Sequence, residues 1–132
     1  PQVDRVLAAS DVELCLDTGH LYLGGADPVE IASRVPGRVI HVHLKDVDAA
    51  LADQVRSGAL TFDGAVRSGL FTPLGRGDVD VAGVIDVLEQ HGFEGWYVLE
   101  QDTALEGPPA PGEGPLVDAR LGVEFLRALA PG

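Results

Sequence analysis

The chain has 132 residues, 45% of them hydrophobic, and a formal charge of −12 at pH 7. That length and apolar content suit one domain with a real core and exclude a disordered chain. The acidic balance excludes a nucleic-acid backbone as partner, because nothing here would release counterions from a duplex, and most of the acids read as a solvated surface.

Taken in chain order, residues 1–10 read as the end of a helix followed by a turn, and Val12 to Leu16 as a first strand. Cys15 lies within that apolar run and is the only cysteine, so no intrachain disulfide can form. A reducing, cytoplasmic compartment is expected, with Cys15 as a structural thiol rather than a nucleophile. No signal-peptide pattern and no apolar run near the ~20 residues needed to cross a bilayer is visible, so no membrane partner is expected. The chain begins at Pro1 rather than a Met, which fits a start that is not native. Asp27-Pro28 opens a helix with Asp27 as N-cap, and Pro36-Gly37 ends it. Val39 to Leu44 is a second strand, with Val42 and Leu44 on one face and His41, His43 and Lys45 on the other.

Residues 47–80 form a long excursion, with helical segments at Ala49–Arg56 and Gly64–Ser68 and a loop from Phe71 to Asp78. An ordered loop of this kind between a strand and its return helix is often a lid or binding element. Val81 to His91 is an amphipathic helix with Asp80 as N-cap and Gly92 as its stop, and His91 at its end suits the helix dipole. Trp96 to Leu99 is a third strand, 107–115 a mobile Gly/Pro-rich loop, and Leu116 to Leu129 a final helix. Strands alternating with helices predict an α/β fold with a parallel sheet, either small and doubly wound or part of a (β/α)8 barrel.

Polar residues sit where each of the three strands ends: Asp17-Thr18-Gly19-His20, His41-Val42-His43-Leu44-Lys45-Asp46 and Glu100-Gln101-Asp102. Singly, these residues have ordinary roles, as a turn aspartate, an interior histidine and a solvated glutamate. Repeated at equivalent strand ends, they form a divalent-metal set with Asp17, His43 and Glu100 as ligands. Oxygen and imidazole donors suit Mn, Co, Mg or Fe, with Zn possible. His20 can hold a substrate hydroxyl or ligate metal. Lys45 can bind a carbonyl or hydroxyl, and Arg76, between two glycines, is a weaker candidate of the same kind. His41 lies one pleat deeper than His43 and suits packing. Gly75-Arg76-Gly77 alone is no phosphate loop, and the absence of a Gly-x-Ser-x-Gly elbow argues against serine hydrolase chemistry.

At these residues the chain resembles the xylose-isomerase-like TIM-barrel superfamily of sugar isomerases and epimerases. Asp17-Thr18-Gly19-His20 is similar to the sixth-strand motif, His41-Val42-His43 to the seventh and Glu100 to the eighth. Val42-His43-Leu44-Lys45-Asp46-Val47, Phe71-Thr72-Pro73-Leu74-Gly75, Gly95-Trp96 and Leu99-Glu100-Gln101-Asp102 are most similar to the inosose dehydratases. The resemblance implies a single partial barrel domain over 1–132, holding about three βα units, strands six to eight. A fourth metal ligand would lie on a strand before Pro1. It implies a truncated product, a fragment, or a piece that associates with a missing N-terminal barrel half or with itself.

The implied chemistry is proton removal beside a metal-polarised ketone, with Glu100 as ligand and base. Water then leaves from a keto-inositol, or the proton returns elsewhere in a sugar isomerase or epimerase. His20, Lys45 and Arg76 would hold a small polyhydroxy ketone or sugar. The alternative is an incomplete barrel that binds a sugar or a partner chain without turnover. A metal-dependent nuclease on the same fold is disfavoured by the acidic charge.

Overall fold

The computed structural model describes residues 2–130. Pro1, at the head of the expected N-terminal helical stretch, lies outside the described residues. In chain order the elements are α1 (Gln2–Ala9), β1 (Leu14–Asp17), α2 (Thr18–Leu23), α3 (Pro28–Arg34), β2 (Val39–Leu44), β3 (Asp46–Val47), α4 (Ala49–Arg56), α5 (Phe62–Arg67), β4 (Phe71–Thr72), α6 (Val81–Gln90), β5 (Trp96–Leu99) and α7 (Pro115–Leu129).

Alternation along the strands decides which way the sheet faces. Leu16, Val42 and Leu44 project to one side and are buried, whereas Cys15, His41 and His43 project to the other and keep solvent contact. The apolar side is covered by helices: Ala32 of α3 and Val81, Val84 and Leu88 of α6 complete the core with it. The strands are parallel in the order β1-β2-β5, so β1 and β5 form the edges. The opposite face carries the polar groups, and Trp96 on it is 75% exposed. An α/β fold with a parallel sheet is therefore present, as the alternating pattern requires. No helix among the described residues is long and apolar enough to cross a membrane.

Helix starts follow local capping chemistry. Asp27, Asp48, Thr61 and Asp80 each accept a hydrogen bond from a backbone N–H of the first turn. Thr61 starts α5 at Phe62, two residues before the position expected from the apolar pattern. The first strand is also displaced, running from Leu14 through Asp17 rather than from Val12 to Leu16. Asp17-Thr18-Gly19 is not a tight turn. Asp17 Oδ1 accepts the His20 N–H at 2.8 Å and caps α2 directly at the strand end. His91 ends α6 with Nδ1 2.7 Å from the Val87 carbonyl, and Gly92 follows at φ +72°, a left-handed stop that suits glycine. Residues 107–113 are exposed, and 107–114 carry neither helix nor strand; Pro115 opens α7 at its first position.

The excursion after β2 is a small ordered unit. β3 and β4 pair antiparallel, Asp46 opposite Thr72 and Val47 opposite Phe71, enclosing α4 and α5. The Asp46 carboxylate clasps the unit shut. Its Oδ1 accepts the N–H groups of Val47 and Val79, and its Oδ2 those of Gly75 and Gly77, at 2.9 to 3.1 Å. Gly77 leaves room for this: a Cβ there would lie 2.4 Å from Asp46 Oδ1. Asp46 is 1% exposed, so truncation leaves the buried N–H groups of Val47 and Val79 without their acceptor. Asp46→Ala is expected to lower stability by about 3–5 kcal/mol at unchanged m in urea unfolding. A loss under about 1 kcal/mol would show that water replaces the clasp.

Candidate metal centre

The register of the parallel strands assembles the site. Asp17 at the end of β1 lies opposite His43 of β2, and His43 lies opposite Val98 of β5. Glu100 is two residues past Val98, hence one pleat higher on the same face. Its N–H donates to the Leu44 carbonyl at 3.1 Å, which extends the ladder beyond β5 and fixes its backbone. Thr18 does the same between β1 and β2. Its hydroxyl donates to the Lys45 carbonyl at 2.7 Å and accepts the Lys45 N–H at 2.9 Å.

Three expected ligands therefore meet. One donor atom each from Asp17, His43 and Glu100 lies within 4.8 Å of the others. His43 Nδ1 is 2.5 Å from Glu100 Oε2 and 3.8 Å from Asp17 Oδ2. The short contact lacks hydrogen-bond geometry, and Glu100 Oε2 is buried with no hydrogen-bond partner. A buried, unsatisfied carboxylate oxygen beside an imidazole nitrogen and a second carboxylate fits a divalent cation. Asp17 divides its carboxylate, Oδ1 capping α2 and Oδ2 turned to this group.

Lys45 is also brought in, although its side chain is only 1% exposed. Its ammonium reaches Glu100 Oε1 and Asp102 Oδ2, each at 2.8 Å, and lies 3.2 Å from His20 Nε2 and 3.7 Å from Asp17 Oδ2. Burial works against the charge, but the Asp102 and Glu100 hydrogen bonds, with Asp17 behind them, more than offset it and hold the ammonium above the ordinary lysine range. The Phe71 ring covers it, 4.8 Å from the centroid. Gly19 makes the burial possible, since a Cβ there would stand 2.6 Å from Lys45 Cγ. With neutral imidazoles, the three carboxylates of Asp17, Glu100 and Asp102 against one ammonium leave a net −2, a charge that a dication balances.

His20 stands at the mouth, 53% exposed, with its ring edge-on to Phe71 at 6.0 Å. Arg76 is not gathered in. It is exposed on the loop clasped by Asp46, and its side chain makes no hydrogen bond or ion pair with any described residue. His41 lies one pleat below His43 and touches its ring edge-on at 5.3 Å. Asp102 closes the third polar cluster, but the sequence pattern gives it no role: beyond the strand it resembles any loop aspartate, and only the fold shows it facing Lys45. Cys15 is exposed, and its thiol is pushed up by partial burial and then by Asp17 and Glu100.

The profile of the xylose isomerase-like TIM barrel family matches residues 2–129. An inosose dehydratase from Geobacillus thermodenitrificans (strain NG80-2) is 39% identical over 112 residues, covering 81% of this chain and 38% of that protein. A rhizopine catabolism protein, MocC, from Rhizobium meliloti is 37% identical over 131 residues, covering 98% of this chain and 39% of that protein. The chain thus spans under two-fifths of these relatives' length. Among solved structures, a xylose isomerase domain protein from Planctomyces limnophilus superposes with a TM-score of 0.59 at 22% identity, over 89% of this chain and 37% of that one, a likeness of fold. The chain belongs to the xylose isomerase-like TIM barrel family.

Proposed function

We propose that this chain is the metal-binding C-terminal part, strands six to eight, of a (β/α)8 barrel that dehydrates a keto-inositol. The convergence of Asp17, His43 and the unsatisfied Glu100 Oε2 carries the reading. The inosose dehydratase relatives support the substrate class, at 35–39% identity. Asp17, His43 and Glu100 would hold Mn, Co or Mg, with Zn also compatible, and a fourth ligand would come from a preceding strand. The bound ion would supply Lewis acidity toward a ketone.

The remaining chemistry belongs to this chain's own side chains. Glu100 takes the proton from the carbon beside the ketone, and the carboxyl so formed is the proton source for the departing β-hydroxyl. Lys45 fixes Glu100 in place. All three ammonium donors are engaged, by His20, Glu100 and Asp102. A substrate hydroxyl reaches Lys45 by replacing Asp102, the most exposed of the carboxylates that face it at 47%. His20 offers a second hydroxyl contact at the mouth. Sugar isomerisation or epimerisation uses the same residues and differs in where the proton returns, a reading that the family as a whole supports.

Mn2+ titrated calorimetrically into the chain is expected to bind, with Asp17→Asn and His43→Gln each weakening affinity by at least about tenfold, a loss that outer-shell changes alone can reach. Unchanged affinity in both variants would remove them as ligands. In the complete barrel, Glu100→Gln is expected to lower kcat for 2-keto-myo-inositol dehydration by about 10²–10⁴-fold. A variant that keeps most of its turnover would sink Glu100 as the base.

A further inference from the structure

We propose that Cys15, His41 and His43 form a second, softer metal site on the same sheet face, and that a thiophilic dication seated there inhibits by taking His43. The inhibition rests on the function proposed above; the site itself does not. Cys15 and His41 are register partners on β1 and β2, one pleat below the Asp17–His43 pair. One donor atom from each of Cys15, His41 and His43 lies within 4.8 Å of the others. A tetrahedral ion with Zn–S of about 2.3 Å and Zn–N of about 2.0–2.1 Å separates its donors by roughly 3.3–3.6 Å. Side-chain rotation of about an ångström therefore closes the site. Neither the Cys15 thiol nor the His41 ring has a hydrogen bond to any described residue that would compete with a metal.

Donor chemistry separates the two groups. The upper one offers two carboxylates and an imidazole, and favours hard ions such as Mn2+ or Mg2+. The lower one offers a thiolate and two imidazoles, and favours Zn2+ or Cd2+. Three protein donors leave a fourth tetrahedral position for water. His43 belongs to both groups, and a neutral imidazole carries one free lone pair, its other nitrogen holding the proton. The two ions therefore compete for it.

Cd2+ is a direct probe, because its bond to sulfur gives an ultraviolet charge-transfer band that needs no activity assay. The band is expected to saturate at one equivalent in the wild-type chain. Cys15→Ser, at an exposed position, abolishes it. His41→Gln weakens Cd2+ binding by more than about tenfold. Asp17→Asn leaves the band intact, and excess Mn2+ shifts the Cd2+ midpoint upward. No band, or a Cys15-dependent band indifferent to His41 and His43 substitution, would overturn the site. A band that Mn2+ cannot shift would overturn the competition. Absence of Mn2+ binding in wild type with the band retained retires the hard-metal reading and the competition with it but leaves the soft site, whereas Mn2+ binding without a band retires the soft site alone.

Discussion

A lysine ammonium that is 1% exposed has to be paired, and much of this molecule is arranged around that requirement. An isolated charge at such depth costs several kcal/mol, and one lost partner is more damaging than the pair is helpful. Lys45 meets the demand by drawing on every part of the fold nearby. Its backbone is held by Thr18, its stem lies against Gly19 at the start of α2, and Phe71 of the excursion covers its head. Glu100 and Asp102, beyond β5, supply the charge. The same contacts that satisfy the ammonium fix the ends of all three parallel strands relative to one another. Metal-type geometry and fold integrity are thus two readings of one cluster.

Much of this is written locally in the sequence. Short apolar runs followed by Asp, His or Glu mark the strand ends, and Asp27 and Asp80 announce their helices through capping chemistry that needs only neighbouring residues. The candidate ligands were legible because strand alternation and parallel pairing turn three separate motifs into one face. What escaped depends on partners distant in the chain. Asp17-Thr18-Gly19-His20 has turn composition, yet it starts a helix capped by Asp17, with Thr18 and Gly19 held against the distant Lys45. The β3–β4 pair involves two residues on each strand, too few for any periodicity. Asp46 and Asp102 look like loop acids until the backbone donors of 75–79 and the buried ammonium are brought to them.

The sheet separates two kinds of work by face. On the helix-covered side, Leu16, Val42 and Leu44 are interchangeable in chemistry and constrained in shape. On the other side, residues two apart alternate with them and are constrained in chemistry. Cys15 and Asp17 on β1, and His41 and His43 on β2, form a ladder of donors that passes from soft at the lower level to hard at the upper. One imidazole, His43, stands where the two levels meet. A single-residue slip of register would exchange the faces and lose both functions together.

The Asp46 clasp has a meaning for how such a chain can vary. Because one carboxylate gathers the residue that opens the excursion and those that close it, the ends of segment 48–78 are pinned independently of what lies between them. In polymer terms the excursion is a loop whose closure is already secured, and doubling its length would cost only about 0.6 kcal/mol in closure entropy. Phe71, which covers the Lys45 ammonium, lies within this segment and has to be kept. The exposed stretch 57–59 between α4 and α5 is therefore free to be lengthened, shortened or replaced, so that the outer surface of the excursion can diverge while the geometry of the metal-type residues stays the same.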